Sequence, residues 1–378
     1  MFDRSIPLIG FHTIIKAHES VDALIRLIEE GLAPNGFNTM ILEMRYRFRC
    51  FPEYSTGTIT YEDAGRIADA CEKHGIRLVP LLPCLSHQSA GPRSIPYPLF
   101  QHHPELLERQ GVVPGTDWPD FVLHSWCASN DDVYEYIFPM IDEMAQACRA
   151  QAFHVGMDEL FDVAVCPKCR EKTPAELYAR TLKILHDHLA QRGLETMIWG
   201  DRLLDAQKMG YSMWEGDRFG VHPALDRRDE VTRDIIVCDW HYEWHSTGYP
   251  SVETLVREGF FTVPSFWRDE KNAAHFWLHA LEAQYLANRC GWKGVLGGML
   301  CTNWRSLDDE AVDNMLASIR GEAADGPGAD IGRVIREVAP KAQKMYSYQT
   351  FRKEYAKNKL ERGCASGASP LSLGGFTG

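Results

Sequence analysis

Short apolar runs alternate with amphipathic stretches along most of the chain. This alternation predicts a parallel sheet whose strands are joined by helical crossovers. Eight apolar runs have the length and composition of strands: Ile6–His12, Phe37–Met44, Arg77–Leu82, Ala152–Val155, Thr196–Trp199, Ile235–Asp239, Phe261–Phe266 and Gly294–Met299. Helical periodicity covers most of the intervals: Val21–Glu30, Tyr61–Lys73, Asp131–Arg149, Pro174–Arg192, Ser251–Glu258, Ala273–Arg289 and Asp308–Ile319.

Eight strand–helix units predict a single (β/α)8 barrel, the α/β fold called the TIM barrel, which takes about 250 residues plus insertions. In this chain of 378 residues we expect the barrel over residues 1–325. A C-terminal helical extension over 326–362 should pack on the barrel, and the Gly- and Ser-rich tail 363–378 should be disordered. The longest insertion, Ser86–Asn130, follows the third strand. It is a candidate for closing over a pocket or for contacting the second subunit of a homodimer.

Residues at the ends of the predicted helices support these assignments. Thr60 precedes the second helix and Asp63 follows three residues later, a variant of the capping box. Gly31, Gly75 and Gly193 follow helical runs, where a glycine accepts the left-handed backbone of a C-terminal cap.

Composition and charge narrow the classes of partner. The formal net charge of -12 argues against nucleic acid, because phosphate binding needs a basic face. No apolar run approaches the length of a membrane span, and Met1–Pro7 lacks the pattern of a signal peptide. The eleven cysteines, an odd number, suit reduced thiols, so we expect a cytoplasmic protein.

The Cys166-Pro167-Lys168-Cys169 segment has the two-residue spacing of half a zinc site or of a redox pair. A four-ligand zinc site needs two further ligands, and the sequence contains no second such pair. The pattern therefore favours reduced cysteines in a turn, and we expect neither a metal nor a cofactor.

Candidate chemistry gathers after the predicted strands, which in a barrel all end at the same rim. Aromatic side chains can stack on the apolar faces of a pyranose ring while carboxylates bind its hydroxyls, so this combination suits a sugar. The candidates are Glu43, His87, His154, Asp158, Glu159, Trp199, Asp201, Trp240, Tyr242, Trp267 and Trp304.

The adjacent acids Asp158 and Glu159 are the strongest candidates for catalysis. Glycosidic cleavage needs a proton donor to the leaving oxygen and stabilisation of an oxocarbenium-like centre. Neighbouring residues of a strand face opposite sides, so the pair can serve one site only if the chain turns at the strand end. Gly156 supplies the flexibility for such a turn.

The run from His154 to Glu159 resembles the H-x-G-x-D-E signature of family 20 β-N-acetylhexosaminidases. The second-strand region, Phe37 to Glu43 followed by Phe51 to Tyr54, resembles the single-domain hexosaminidase D branch of that family. Further motifs match in chain order after the third, fifth, sixth and eighth strands: Ser86-His87, Trp199-Gly200-Asp201, Asp239-Trp240-His241-Tyr242 and Thr302-Asn303-Trp304.

The resemblance implies an exo-acting, retaining enzyme that removes terminal β-linked GlcNAc or GalNAc, using the substrate's own 2-acetamido oxygen as nucleophile. Glu159 would be the acid and then the base, Asp158 would orient the acetamido N–H, and Tyr242 would bind the acetamido oxygen. The remaining candidates would form the sugar pocket. Trp199, Trp240 and Trp304 would be its walls, with Trp267 beside them, while His87, His154, Asp201 and Glu43 would bind or order the sugar hydroxyls.

The sequence departs from the family pattern at three positions. The family commonly has an arginine at the end of the first strand, whereas the predicted strand ends at His12 without one. Ser86 stands where a glycine is expected, and Met157 where glycine or alanine is usual. We therefore expect contacts to the 3- and 4-hydroxyls that differ from the family's.

Two other functions are compatible with the same residues. One is a retaining glycosidase in which Asp201, Asp239 or Glu43 is a covalent nucleophile, a geometry that places the two carboxyls about 5–5.5 Å apart. The other is an amino-sugar binding protein without turnover.

Overall fold

A closed barrel of parallel strands forms the centre of the molecule. The computed structural model describes residues 2–90, 95–109, 123–211, 215, 223–246 and 248–344. In this part of the chain every strand pairing is parallel, and the sheet closes because the last strand hydrogen-bonds to both the first and the seventh. The strands are β1 (Leu8–Ile15), β2 (Thr39–Met44), β3 (Arg77–Cys84), β4 (Ala152–Gly156), β5 (Glu195–Trp199), β6 (Ile236–Trp240), β7 (Phe261–Phe266), β8 (Val295–Leu296) and β9 (Gly298–Asn303), of which β8 and β9 together fill the eighth position.

Helices surround the barrel, which confirms the predicted fold class. They are α1 (Ser20–Leu27), α2 (Tyr61–Lys73), α3 (Pro98–His102), α4 (Tyr134–Ala147), α5 (Pro174–Gln191), α6 (Ala206–Met209), α7 (Pro250–Arg257), α8 (Glu270–Cys290), α9 (Asp309–Arg320) and α10 (329–344). None of the helices in the described part of the chain is both long enough and apolar enough to cross a membrane.

The first and last strands differ from the prediction. β1 continues three residues beyond His12, because Thr13 pairs with Leu42 of β2 and with Asn303 of β9. The eighth position is interrupted at Gly297 and continues to Asn303 rather than ending at Met299. At Gly298 the backbone has φ 139°, and a Cβ atom there would lie 1.9 Å from the Leu8 carbonyl oxygen, so only glycine allows this approach.

The predicted cap of α2 is confirmed. The Asp63 backbone N–H donates to Thr60 Oγ1 at 3.1 Å, and the Thr60 backbone N–H donates to Asp63 Oδ2 at 3.0 Å. Gly75 and Gly193 have the expected positive φ, whereas the prediction for Gly31 is wrong. Gly31 lies inside a π-helical turn, Ile28–Leu32, that continues α1, and the left-handed residue is Gly36.

Apolar side chains fill the barrel, so any ligand must bind at its rim rather than inside it. The interior includes Leu8, Ile41, Val79, Met197 and Val263. On the outside, α10 buries Ile331, Val334, Ile335 and Val338 in the main core. The rest of the predicted extension, from residue 345, and the tail 363–378 lie outside the described residues.

Candidate active site

The chain turns sharply where β4 ends, and the turn brings the two candidate acids to one place. Gly156, Met157 and Glu159 all have left-handed backbones, with φ of 67°, 69° and 49°. Such conformations are costly for residues other than glycine and are often found at functional sites. As a result, the side chains of Asp158 and Glu159 both line the same cavities.

His87 lies between these two carboxylates. Its Nε2 atom is 3.3 Å from Asp158 Oδ2 and 3.2 Å from Glu159 Oε2. Burial disfavours the charged ring, but Asp158 and Glu159 outweigh this effect and raise the pKa of His87 well above its ordinary value. Burial likewise acts to raise the pKa of Asp158, yet His87 outweighs it and the net pKa of Asp158 is lowered. The arrangement therefore favours a cationic His87 beside an ionised Asp158.

Two adjoining cavities meet at this group of charges. The first has a volume of about 560 Å³ and the second about 440 Å³, and both lie in the range of small-molecule sites. His87, Asp158, Glu159 and Trp304 line both cavities. The first is completed by Glu215, Trp240, Tyr242, Glu243, Trp267 and Arg268, and the second includes Lys16, Glu43, Arg45, Tyr97 and Trp199.

Aromatic rings from β5, β6 and the segments after β7 and β9 form one continuous wall. Trp240 stacks on Tyr242 with ring centroids 5.1 Å apart, and Trp267 meets Tyr242 edge-on at 5.5 Å. The Trp304 indole N–H donates to the Tyr242 hydroxyl oxygen at 2.8 Å. Trp199 lies against Trp304 at 5.4 Å and is almost fully buried. The four predicted tryptophans thus all contribute to the walls.

Asp201 lies beneath the acids and is 3% exposed, so it is absent from the walls of the two cavities as the described residues define them. Its carboxylate accepts the Glu159 backbone N–H at 2.8 Å and the Trp240 indole N–H at 3.3 Å. Burial, partly opposed by Arg202, raises the pKa of Asp201 to about 7. The position suits a residue that holds Glu159 and Trp240 in place.

The other two predicted hydroxyl ligands occupy different positions. His154 is fully buried, and its Nδ1 atom accepts the Gly156 backbone N–H at 3.0 Å. Burial lowers the pKa of His154 to about 3. Glu43 lines the second cavity and accepts a hydrogen bond from Arg45 at 2.8 Å, and burial raises its pKa.

The carboxylates considered as covalent nucleophiles have other partners. Asp239 is 2% exposed and accepts a hydrogen bond from the Ser251 hydroxyl at 2.8 Å. Asp201 and Asp239 both lie outside the walls of the described cavities, and Glu43 reaches only the second.

A charged network flanks the first cavity. Glu215 Oε1 lies 2.9 Å from His241 Nδ1 and 2.8 Å from His245 Nε2. On its other side, the His241 ring lies 2.7 Å from the Ser251 hydroxyl and 3.3 Å from Asp239. This network connects the segment after β6 to the N-terminal end of α7.

Sequence reasoning missed several residues that line the cavities. Lys16 follows the extended β1, and placing the strand end at His12 hid it. Tyr97 belongs to the insertion after β3, where no periodic pattern indicated an inward side chain. Glu215 lies between β5 and β6 and Glu243 follows β6, and no motif marked either residue.

Comparison with known families decides how this site is classified. Residues 25–263 match the catalytic-domain model described as glycosyl hydrolase family 20. The chain belongs to glycosyl hydrolase family 20. The matched range contains the β4 turn and most of the residues that line the two cavities. Among curated proteins, none matches this family 20 chain significantly.

Solved structures with similar folds include proteins named chitobiase, β-N-acetylhexosaminidase and exo-β-N-acetylglucosaminidase. A chitobiase from Flavobacterium johnsoniae is 17% identical to this chain, with a TM-score of 0.59. The superposition covers 94% of this chain and 52% of the chitobiase chain. A β-N-acetylhexosaminidase from Bacteroides fragilis is 13% identical with a TM-score of 0.58, covering 93% and 71%. An exo-β-N-acetylglucosaminidase from Vibrio harveyi, solved with N-acetylglucosamine, is 16% identical with a TM-score of 0.56, covering 88% and 54%. This chain therefore spans about half the length of the Flavobacterium and Vibrio proteins.

Proposed function

We propose that this family 20 glycoside hydrolase is an exo-acting, retaining β-N-acetylhexosaminidase for terminal β-linked GlcNAc or GalNAc. The observation that carries the proposal is the meeting of Asp158 and Glu159 with Tyr242 in one cavity walled by tryptophans. Adjacent acids with different surroundings can divide two tasks, one carboxylate staying ionised while the other exchanges protons.

Asp158 and Tyr242 act on the acetamido group in this proposal. An ionised Asp158 accepts the acetamido N–H, which orients the group and offsets the positive charge that develops on it. Tyr242 already accepts a hydrogen bond from Trp304, so its own proton is the one it can donate to the acetamido oxygen. Trp240, Trp267 and Trp304 exclude water around that group.

Glu159 handles the proton in both steps. In the first step it protonates the glycosidic oxygen while the acetamido oxygen bonds to the anomeric carbon, so the aglycone leaves and an oxazolinium ion forms. In the second step Glu159 takes a proton from water. The resulting hydroxide attacks the anomeric carbon and opens the oxazolinium ring, which restores the acetamido group. Two inversions give net retention. Asp201 is a positioning residue, since it holds the Glu159 backbone, and Glu43 contacts sugar hydroxyls from the second cavity.

The decisive measurement is hydrolysis of aryl β-N-acetylglucosaminide and β-N-acetylgalactosaminide. We expect wild type to cleave at least one, and Glu159→Gln to lose about 10²–10⁴-fold in kcat, the usual contribution of general acid–base catalysis. Glu253→Gln, at a half-buried position of α7 that lines neither cavity, should retain full activity. Absence of turnover of both substrates by pure wild type would overturn the proposal.

Two inhibitors separate this mechanism from a covalent one. A thiazoline mimic of the oxazolinium should inhibit strongly, whereas a 2-fluoro sugar should trap no covalent intermediate. Calorimetry tests the remaining alternative, an amino-sugar binding protein without turnover, because that protein would bind the sugar and not hydrolyse it.

A further inference from the structure

Three cysteines and a glutamate meet in the interior, away from the two cavities. One ligand-type atom from each of Glu108, Cys127, Cys166 and Cys169 lies within 4.8 Å of the others, and all four side chains are buried. Cys127 Sγ is 3.4 Å from Cys166 Sγ and 3.5 Å from Cys169 Sγ. The fold thus supplies the two further ligands that the Cys166-x-x-Cys169 spacing lacks.

Among the described residues, one carboxylate oxygen of Glu108 has no hydrogen-bond partner. The Oε1 atom accepts the backbone N–H groups of Val165 and Cys166 at 2.7 and 3.1 Å, while Oε2 is buried without a partner in the described structure. A buried carboxylate oxygen without a donor or a cation costs substantial free energy. A positive ion among the sulfurs would satisfy it.

We propose that Cys127, Cys166, Cys169 and Glu108 bind one zinc ion. Zinc prefers four tetrahedral ligands, with Zn–S bonds of about 2.3 Å and Zn–O bonds of about 2.0–2.2 Å. Three thiolates at that bond length lie about 3.8 Å apart, close to the spacing found here. The backbone bonds to Glu108 Oε1 orient the carboxylate, the kind of support that metal ligands usually receive. Each bound thiol releases its proton to solvent.

The four ligands join two active-site loops. Glu108 and Cys127 flank the neck of the insertion after β3, where Leu107 forms an antiparallel bridge with Trp126. Cys166 and Cys169 lie in the segment between β4 and α5, downstream of Asp158 and Glu159. Arg109 also pairs with Asp162 across these loops at 2.8 Å. Zinc would therefore fix the insertion to the segment that carries the catalytic acids.

A disulfide is the main alternative use of these sulfurs. It would join two of the three cysteines at about 2.05 Å and leave the third thiol and the Glu108 carboxylate unused. The zinc site uses all four groups.

Metal analysis of the purified full chain, prepared without chelators or a metal-binding tag, tests the proposal. We expect one zinc per chain after dialysis, and X-ray absorption should show three sulfur ligands and one oxygen ligand. Cys169→Ser and Glu108→Gln should lose or weaken zinc, whereas Cys148→Ser, which alters a buried cysteine outside the cluster, should keep one equivalent. If Cys169→Ser fails to fold, cobalt added to metal-depleted wild type gives a second readout through thiolate-to-cobalt charge-transfer absorption.

The opposite results would overturn the proposal. One is that wild-type protein binds no zinc after incubation with zinc ions. The other is that a mass measurement shows a native disulfide among the three cysteines. All of these readouts are independent of turnover, so the zinc site and the proposed hydrolase activity can fail separately.

Discussion

At the residue scale, the different roles proposed for Asp158 and Glu159 come from their surroundings, because both side chains end in the same carboxylate group. His87 contacts both carboxylates, but Asp158 is the more buried of the two, with 14% of its side chain exposed against 22% for Glu159, and His87 lowers the pKa of Asp158. The Glu159 backbone N–H donates to Asp201, and the Glu159 side chain lines both cavities. Adjacent positions in the sequence thus acquire different surroundings.

Tyr242→Phe tests the proposed contact to the acetamido oxygen. The variant keeps the aromatic wall but removes the hydroxyl, so kcat on an aryl β-N-acetylglucosaminide should fall about 10²–10³-fold, as for the loss of one oxyanion-hole donor. Stability should fall by about 1 kcal/mol, because the Trp304 indole N–H loses its acceptor. Tyr285→Phe, on the exposed face of α8, is the matched control and should change neither quantity. Unchanged kcat in Tyr242→Phe would remove Tyr242 from the mechanism.

At the scale of elements, the left-handed turn after β4 determines where the acids point. Gly156 is its first residue, with φ 67°, and a Cβ atom added there would lie 3.1 Å from Pro83 Cα in β3. Backbone atoms cannot move aside as easily as a flexible side chain. The turn and the packing of β3 against β4 are therefore linked.

Gly156→Ala should destabilise the protein by about 1–3 kcal/mol, because alanine is strained at positive φ. It should also lower kcat at least tenfold by shifting both acids. Thermal unfolding and turnover of an aryl substrate measure the two effects. Gly65→Ala is the matched control, since Gly65 lies inside α2 with open space around it, and alanine there should stabilise the helix by about 0.5–1 kcal/mol. Equal stability and activity of the two variants would contradict the role of the turn.

The sequence predicted these elements well, because hydrophobic periodicity records which faces are buried. It failed where polar residues are buried inside a strand. The polar residue Thr13 suggested that β1 ends at His12, yet the Thr13 backbone pairs with both neighbouring strands. Because β1 therefore runs to Ile15, Lys16 lies at the rim, where the sequence did not predict it. The zinc ligands show a second limit, because Glu108 and Cys127 lie far from Cys166 in sequence and only the loop packing brings them together.

At the scale of the whole molecule, a buried charge network makes stability depend on pH. Burial disfavours a charged His241, but Asp239 and Glu215 outweigh it and raise the pKa of His241 to about 9. Because the pKa of His241 is higher in the folded state, its charge stabilises the folded protein. This contribution is fully present below the unfolded pKa of 6.5 and is lost as pH rises through 9. Burial also opposes the charge of Glu215, but His241 and His245 lower its pKa to about 2, so its contribution is lost only as pH falls from 4.5 through 2.

We therefore expect the free energy of unfolding to fall between pH 6.5 and 9 by on the order of 1 kcal/mol per pH unit, because the folded state holds about one proton more than the unfolded state in this range. Urea unfolding across this range measures the slope. Glu215→Gln should make the slope shallower, because His241 loses one of the two carboxylates that raise its pKa. Glu253→Gln should keep the wild-type slope, and an identical slope in both variants would exclude the network as its source.

The closure of the barrel has a consequence for how the chain is made. Leu8 of β1 pairs with Gly298 of β9, a partner 290 positions later in the sequence. Translation at about 5–20 residues per second separates the emergence of the two by roughly 15–60 s. During that interval β1 has one open edge, and open edges of apolar strands invite pairing with other chains. Nascent protein should therefore depend on chaperones most strongly just before β9 leaves the ribosome.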